Sequence, residues 1–236
     1  MPKRYWYIIM TYLIMQISGA LLVPLIDMLN IDRFTFSVSW SIFSFAAALI
    51  IILFLLKPDM KQGSERNAAG AGSVVLWCFI GVFMAYMAQY AAVIIETFVL
   101  GIKPGSENTM QIMEIARAAP IFIIIPAIIA PILEEIIFRK IIFGSFYKRT
   151  NFFIAALASS IIFGLVHMDV THIITYTAMG LVFAFLYVHT NRIIVPIVAH
   201  MAMNTITVIA QFSIDPEELE RMLKQWESIQ MIFIGG

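Results

Sequence analysis

The segment PILEEIIFR, at residues 131–139, places two adjacent glutamates and an arginine in one of the most apolar parts of the chain. Charged side chains are costly inside a bilayer, so their presence in a membrane span indicates a functional site. On a helix, Glu135 and Arg139 have the four-residue spacing at which an acid and a base meet on one face. Glu134 is turned about 100° away from Glu135. The segment therefore predicts one paired carboxylate, Glu135, and one free carboxylate, Glu134, which is a candidate general base.

The composition of the chain is that of a membrane protein. Of its 236 residues, 61% are hydrophobic and 13% are charged, whereas a soluble domain is about half apolar and a quarter charged. Apolar stretches of about 20 residues, each long enough for a membrane helix, recur along the chain. They predict an all-α fold, a polytopic transmembrane helical bundle of about seven spans, at residues 5–29, 35–56, 74–100, 120–147, 151–168, 172–188 and 193–212.

Charge and cysteine content exclude several classes of function. The net charge is +0 and gives no reason to expect nucleic acid as a partner, so the partner expected from composition is the lipid bilayer. The single cysteine, Cys78, excludes an internal disulfide framework and a cysteine-rich metal site. The chain contains no His-Glu-x-x-His helix of the zinc-protease type and no Gly-x-Ser-x-Gly elbow for a serine nucleophile.

The remaining segments predict how the chain is organised. Residues 57–73 form a polar linker, residues 109–119 an amphipathic segment at the membrane interface, and residues 215–230 a surface helix. Three prolines, Pro120, Pro126 and Pro131, predict a break or kink just before the glutamate pair. We therefore divide the chain into N-terminal spans without an assigned motif, a catalytic helical core and a C-terminal tail, at residues 1–108, 109–213 and 214–236.

The distribution of Lys and Arg predicts the orientation. Eight of them lie in segments on the side of the N-terminus and five on the opposite side, leaving out Arg139 and Lys140, which lie within a span. Because positive charge is enriched on the cytoplasmic side, seven spans place the N-terminus inside and the C-terminus outside.

Further polar residues lie at depths that match the glutamate pair. At a rise of 1.5 Å per residue, Glu134 and His167 both lie about 23–26 Å from the turn at residues 148–151. Asn204 lies about 20 Å from the turn at Asn191, and His200 lies one helical turn nearer to it. Four polar groups from three helices can therefore converge, and a water-filled cavity would explain why the membrane tolerates them.

Each of these residues also has a purely structural interpretation. A histidine in an apolar helix is commonly a hydrogen-bonded core residue, Asn204 alone would link two helices, and Glu135 with Arg139 would be a structural ion pair. Their matching depths favour a site, with Phe163 as a packing residue that shapes it around His167. We interpret His172 and His189, at the ends of spans, as structural.

Three motifs in separate spans resemble those of the CAAX prenyl protease and bacteriocin-processing (CPBP) family, which includes type II CAAX prenyl endopeptidases and the bacterial Abi proteins. They are Glu134-Glu135-x-x-x-Arg139, Phe163-x-x-x-His167 and His200-x-x-x-Asn204. The similarity covers roughly residues 120–210, and Lys140 stands where glycine often follows the arginine in the family. The resemblance implies a helical membrane fold and peptide-bond hydrolysis inside the membrane.

The resemblance also implies roles for individual residues. Glu134 matches the catalytic base, His167 its partner in activating water, and His200 and Asn204 the groups that hold the oxyanion, while Glu135, Arg139 and Phe163 support them. Members of the family are described as metalloproteases, and a metal-free glutamate mechanism has also been argued. The cofactor therefore stays open between zinc, held by Glu134, His167 and His200 with water in the fourth position, and no metal.

Two functions remain open at this stage. The first is an endopeptidase acting on a small hydrophobic peptide or a membrane protein, and the second is a non-catalytic membrane scaffold or sensor regulator on the same fold. The intact motifs favour the first, and a prenylated CAAX substrate is not the one we expect. Because a helical peptide bond must unwind before it is cut, segments with Gly or Pro, or terminal segments, are the expected substrates. The resemblance fits the bacterial branch, so we expect an integral, multi-pass protein of the bacterial cytoplasmic membrane.

Overall fold

The fold is an all-helical bundle in a computed structural model that describes residues 1–61, 67–103 and 105–214 and five positions from residue 218 to residue 225. This described part contains eight helices and no strand. In chain order they are α1 (Lys3–Met28), α2 (Arg33–Lys61), α3 (Ala71–Val99), α4 (Glu107–Ala118), α5 (Pro120–Tyr147), α6 (Phe152–Val166), α7 (Val170–Thr190) and α8 (Ile194–Ser213). The predicted all-α bundle is confirmed.

Six of the described helices are long and apolar enough to cross a membrane, namely α1, α2, α3, α5, α7 and α8. The remaining predicted span, at residues 151–168, is the shorter helix α6, which has 15 residues. Its length of about 22 Å falls short of the roughly 30 Å hydrocarbon core. The predicted seven spans therefore correspond to six full spans and this short one.

Helix α5 is the centre of the bundle. In its most apolar stretch, 56% of the residues are buried, against 17% in each of α1, α2 and α3. It contacts α1, α2, α6, α7 and α8, while α3 packs against α7 and α8 on the other side. The glutamate pair therefore lies on the helix that most of the bundle surrounds.

The predicted kink before the glutamate pair is present, and its physical cause is visible. Helix α5 adopts π-helical geometry at Ile125–Ile129, where the N–H of Ala130 bonds to the carbonyl of Ile125. The carbonyl of Pro126 would bond to residue 131 in this geometry, but residue 131 is a proline and has no N–H to give. A second π-helical stretch, Glu135–Phe143, follows directly after Glu134. Such stretches are frequent at functional sites.

Close helix packing brings α6 against α7 at a glycine. A Cβ atom added to Gly180 would lie 2.7 Å from the Oγ atom of Ser160. Only glycine therefore permits this approach, which brings the C-terminal end of α6 and its His167 close to the first turns of α7.

Some predicted boundaries differ from those observed. Helix α2 continues past Leu56 to Lys61, because the carboxylate of Asp59 is held by an ion pair with Arg4. The predicted amphipathic segment is α4, which begins at Glu107, after Ser106 accepts a hydrogen bond from the N–H of Thr109. Part of the predicted linker, at residues 62–66, and most of the predicted surface helix at residues 215–230 lie outside the described residues.

Candidate active site

Glu135 lies on the buried side of α5, where it contacts two cationic or polar partners. Its Oε2 atom is 3.1 Å from Nε of Arg139, and its Oε1 atom is 3.0 Å from Nδ1 of His200. Glu135 and Arg139 are both fully buried. The ion pair that the four-residue spacing predicts is therefore confirmed, and His200 is an additional partner.

Arg139 is surrounded by aromatic rings. The central carbon of its guanidinium lies 4.6 Å from the ring centre of Phe163, 5.5 Å from that of Phe183 and 6.0 Å from that of Phe138. Within the described residues, its three nitrogens make no well-aligned hydrogen bond. The charge is thus stabilised by Glu135 and by the faces of these rings, which attract cations.

Glu134, one residue earlier, faces a cavity of about 580 Å³. Helices α1, α2, α3, α4, α5, α6, α7 and α8 all contribute to its walls, and Glu134 is the one acidic residue among the described residues that line it. Its Oε2 atom is 3.8 Å from Nε2 of His200, beyond hydrogen-bonding distance. The two adjacent carboxylates therefore have different environments, one enclosed and one facing the cavity.

His167 lies at the C-terminal end of α6 and also lines the cavity. Its Nδ1 atom is 2.8 Å from the carbonyl oxygen of Phe163. Because a carbonyl only accepts hydrogen bonds, Nδ1 carries the hydrogen, and Nε2 of the neutral ring is left as an acceptor. The ring stacks on Tyr176 at 4.2 Å and meets the edge of Phe163 at 4.5 Å between centres, so its orientation is fixed from two sides.

His200 and Asn204 lie one turn apart on α8, and both line the same cavity. The ring of His200 stacks on Phe183 at 4.7 Å, and its Nδ1–H donates to Glu135. Asn204 donates from Nδ2 to the carbonyl oxygen of Pro126 at 3.0 Å. This is the carbonyl that the π-helical turn leaves without an N–H, so Asn204 completes the kink of α5 and retains a second N–H.

The structure thus brings all four predicted catalytic residues to one cavity, with Phe163 packed between them. Phe163 is fully buried and its ring contacts both His167 and His200. The position of these residues agrees with the roles that the motifs suggest, while the roles themselves stay predictions.

A polar cluster lies beside His167, and sequence reasoning placed Asp169 and His172 in the turn but missed the part of Ser106 and Tyr176. The hydroxyl of Tyr176 is 3.1 Å from that of Ser106, which donates to Asp169 at 2.7 Å. The other oxygen of Asp169 is 3.0 Å from Nδ1 of His172. Burial acts to raise the pKa of Asp169, but the hydrogen bonds from His172 and Ser106 outweigh it, and the pKa lies below its ordinary value. An aromatic residue in an apolar helix gives no sequence signal of such a role.

A third carboxylate, Glu96, is buried in the last turn of α3. Its two oxygens accept hydrogen bonds from the backbone N–H of Thr175 at 2.9 Å and from its hydroxyl at 2.7 Å. Glu96 therefore caps the first turn of α7 from outside that helix, where the helix dipole favours a negative charge. The next residue, Tyr176, stacks on His167. The sequence signal was an acid inside a predicted span, but nothing identified its partner.

The residues present do not fit the zinc site that the resemblance suggests. Zinc needs its nitrogen and oxygen ligands at about 2.0–2.2 Å in a tetrahedral shell. Oε2 of Glu134 and Nε2 of His200 lie 3.8 Å apart, and the bond of Nδ1 to Glu135 leaves Nε2 available, but a zinc site needs a third protein ligand beside these two. Within the described ranges, no group of three or more His, Cys, Asp or Glu residues could hold a metal ion. The predicted set of Glu134, His167 and His200 is therefore not assembled as a metal site in this conformation.

Comparison with known proteins identifies the family. Residues 116–206, which contain every site residue that the three motifs predict, match the family model described as type II CAAX prenyl endopeptidase Rce1-like. No solved structure matches the chain significantly.

Two curated relatives cover most of this chain. YdiL of Bacillus subtilis (strain 168), which is named as a candidate membrane peptidase, is 43% identical over all of this chain and 99% of its own. The membrane-embedded CAAX protease MroQ of Staphylococcus aureus (strain USA300) is 37% identical over 80% of this chain and 78% of its own. The chain is an integral, multi-pass membrane protein, and it belongs to the Rce1-like CAAX protease family.

Proposed function

We propose that this protein is an intramembrane endopeptidase that cuts a short hydrophobic peptide or a membrane protein by means of a water molecule activated by Glu134. The observation that carries the proposal is the split between the two adjacent glutamates. Glu135 forms an ion pair with Arg139 and a hydrogen bond with His200, whereas Glu134 faces the cavity. A carboxylate in a cavity within the membrane, with a water molecule beside it, can act as a general base.

The chemistry follows from the donors and acceptors around the cavity. Glu134 takes a proton from water while the water oxygen attacks the carbonyl carbon of the peptide. His167 orients that water, because its Nε2 atom is an acceptor once Nδ1 is bound to Phe163. The C–N bond then breaks, and the amine leaves with the proton that Glu134 returns. Glu134 ends in its starting state, so the cycle is balanced.

The negative charge on the carbonyl oxygen needs donors that face the cavity. The second N–H of Asn204 is one candidate, since its first N–H is used by Pro126. His200 can donate from Nε2 only in its doubly protonated form, because Nδ1 already donates to Glu135. Each such donor contributes about 10²–10³ in rate.

The proposed location is the bacterial cytoplasmic membrane, with the N-terminus inside. The curated relatives come from Bacillus, Staphylococcus and Lactococcus species. Two contacts between predicted inner segments support this orientation, since Arg4 pairs with Asp59 and Arg192 donates to the carbonyl of Ala69.

A comparison of membrane peptides tests the proposal. Cells carrying the wild-type protein and cells carrying Glu134→Ala at the same level should differ by a precursor that accumulates only with the variant, and its missing product identifies the cleavage site. The absence of any difference across growth conditions, with both proteins in the membrane, would favour the scaffold function.

A further inference from the structure

The ring of Tyr176 covers one face of His167 in the main cavity, which is the cavity that Glu134 faces. The two ring centres lie 4.2 Å apart, and the ring planes are inclined by 29°. On the other side, the carbonyl oxygen of Phe163 holds Nδ1 of His167 at 2.8 Å. Because a stacked ring limits the rotation of the imidazole, Tyr176 helps to set the direction in which Nε2 of His167 points.

The proton of the Tyr176 hydroxyl is committed to Ser106. Ser106 has one O–H proton, and it donates this proton to Asp169 at 2.7 Å, because a carboxylate only accepts. The 3.1 Å contact between the two hydroxyls is therefore donated by Tyr176. Tyr176 consequently has no proton to give to an oxyanion in the main cavity, and its hydroxyl serves to anchor its own ring.

The far end of this hydrogen-bonded chain is also fixed. The second oxygen of Asp169 is 3.0 Å from Nδ1 of His172, and Nε2 of His172 is 3.2 Å from the carbonyl oxygen of Lys103. Both partners of the His172 ring only accept, so both bonds form when each ring nitrogen carries a hydrogen. Every proton along the chain from Tyr176 through Ser106 to His172 then has one direction.

The chain lies between the main cavity and a second cavity of about 430 Å³. The second cavity is lined in part by the exposed polar side chains of Lys103, Glu107 and Gln111. The residues that line both cavities are Gly105, Asn108, His167, Met168 and His172. An opening of the chain would therefore join the two cavities and let water compete with Phe163 for the N–H of His167.

We infer that Tyr176 is a positioning residue for His167, and that Ser106, Asp169 and His172 act on the site through Tyr176. The beginning of α4 and the turn between α6 and α7 thereby control the direction of a histidine in the main cavity. The inference rests on the proposed function, because it states what holds the histidine that orients the attacking water. It predicts that the Tyr176 hydroxyl affects turnover and leaves substrate binding unchanged.

Nitrogen NMR of the histidine rings tests the positioning without any substrate. The chain has four histidines, so the labelled protein gives a small set of signals, each assigned by a single His→Gln variant. Neutral His167 should show one tautomer, with the hydrogen on Nδ1. Tyr176→Leu should give a mixture of both tautomers, while Tyr176→Phe, which keeps the stacked ring, should retain mainly the first. A single tautomer at His167 in folded Tyr176→Leu would overturn the inference.

Cleavage of an apolar peptide pool, a mixture of short apolar synthetic peptides analysed by mass spectrometry, gives the second readout. Tyr176→Phe should lower kcat about tenfold and Tyr176→Leu about 10²-fold, because small displacements of a group that orients the reactants are costly in rate. KM should stay within about twofold in Tyr176→Phe, since the hydroxyl is turned to Ser106. A raised KM with unchanged kcat would make Tyr176 a substrate-binding residue and contradict its positioning role.

A double-mutant cycle tests whether Ser106 acts through Tyr176. Ser106→Ala and Tyr176→Phe break the same bond, so the double variant should lose no more kcat than the larger single loss. Rates are compared per folded protein, because Ser106 also caps α4. Ser106→Thr, which keeps the hydroxyl, should retain the wild-type kcat. Fully additive losses would show that Ser106 does not act through Tyr176.

Phe185→Leu is the matched control. Phe185 lies on the same helix as Tyr176 and stacks on another histidine, His189, with 5.2 Å between the ring centres. It is not among the described residues that line either cavity. This change should alter neither the His167 signals nor kcat. Equal losses of kcat in Phe185→Leu and Tyr176→Leu would attribute the effect to general damage to α7 and remove the positioning role.

The two readouts separate this inference from the function on which it rests. A mixture of His167 tautomers in Tyr176→Leu, together with a wild-type protein that cuts no peptide, would contradict the proposed endopeptidase and leave the positioning role standing. Cleavage by the wild type, with the His167 tautomer unchanged in Tyr176→Leu, would do the reverse.

Discussion

The two sides of α5 at the glutamate pair show how one membrane helix holds two carboxylates in different states. On the buried side, Glu135 is enclosed with Arg139, three phenylalanine rings and His200. On the cavity side, Glu134 has no hydrogen-bond partner among the described residues and a volume of about 580 Å³ in front of it. The difference indicates that one membrane helix can hold a carboxylate that faces a cavity next to an enclosed one, because one residue of helix rotation separates their surroundings.

The strongest test of the buried side is the removal of one charge. We expect Arg139→Leu to lower the free energy of unfolding by about 3–5 kcal/mol, because it strands the carboxylate of Glu135 without its cation. Denaturation of the purified protein in detergent measures this change.

The matched control removes both charges. Glu135→Gln combined with Arg139→Leu leaves an oxygen that can accept from His200 and no buried charge, so most of the lost stability should return. A double variant as unstable as the single one would show that the pair is not the source of the effect.

A smaller loss is expected at the cap that supports His167 through Tyr176. Glu96→Ala leaves the N–H and hydroxyl of Thr175 without acceptors and should cost about 1.5–3 kcal/mol, as hydrogen bonds to charged groups do. Glu96→Gln, which keeps an acceptor, should retain part of this stability. Wild-type stability in Glu96→Ala, measured by the same denaturation, would contradict the capping role.

Asn204 has both a structural contact and a place in the cavity. Its side chain donates to the carbonyl of Pro126 at the kink of α5, and it also lines the cavity. Asn204→Leu should cost only about 1 kcal/mol of stability, a usual value for a hydrogen bond between membrane helices. Its effect on cleavage of the apolar peptide pool should be larger, about 10² in kcat, if its second N–H binds the oxyanion.

The control for Asn204 is Tyr86→Phe. That change removes another hydrogen bond to α8, from the hydroxyl of Tyr86 to the carbonyl of Met203, and Tyr86 does not line the cavity. It should therefore reduce stability by a similar amount and leave kcat unchanged. Equal losses of kcat in both variants would show that the effect of Asn204→Leu does not come from a role in the site.

The smallest expected effect is that of metal removal. Because Glu134, His167 and His200 are not gathered into a metal site, chelation should change neither the unfolding midpoint nor the cleavage rate. Elemental analysis of active protein provides the check. One equivalent of zinc, lost in His167→Ala or His200→Ala, would show that the site rearranges around a metal.

Local sequence patterns predicted much of the difference between the two sides of α5. The four-residue spacing gave the ion pair of Glu135 and Arg139, and three prolines gave the kink. Counting residues from the turns placed Glu134, His167, His200 and Asn204 at similar depths, and all four line one cavity. These features depend on helix geometry, which the order of residues determines.

Contacts between distant segments could not be predicted in the same way. The bonds of Glu96 to Thr175 and of Asn204 to Pro126 join residues 79 and 78 positions apart, and only the packing of the helices brings them together. The stacking of Tyr176 on His167 also depends on the packing of the helices. The predicted span at residues 151–168 exceeds α6 by three residues, because hydropathy does not mark where the helical hydrogen bonds begin and end.

One paired measurement tests the central claim, that adjacent carboxylates have separate roles. Glu134→Gln and Glu135→Gln are compared with the wild type for unfolding in one detergent and for cleavage of the apolar peptide pool. We expect Glu134→Gln to unfold within about 0.5 kcal/mol of the wild type and to lose about 10²–10⁴ in rate. Glu135→Gln should lose about 3–5 kcal/mol, because Arg139 is left uncompensated. Equal stability losses in the two variants, or full activity in Glu134→Gln, would contradict the account.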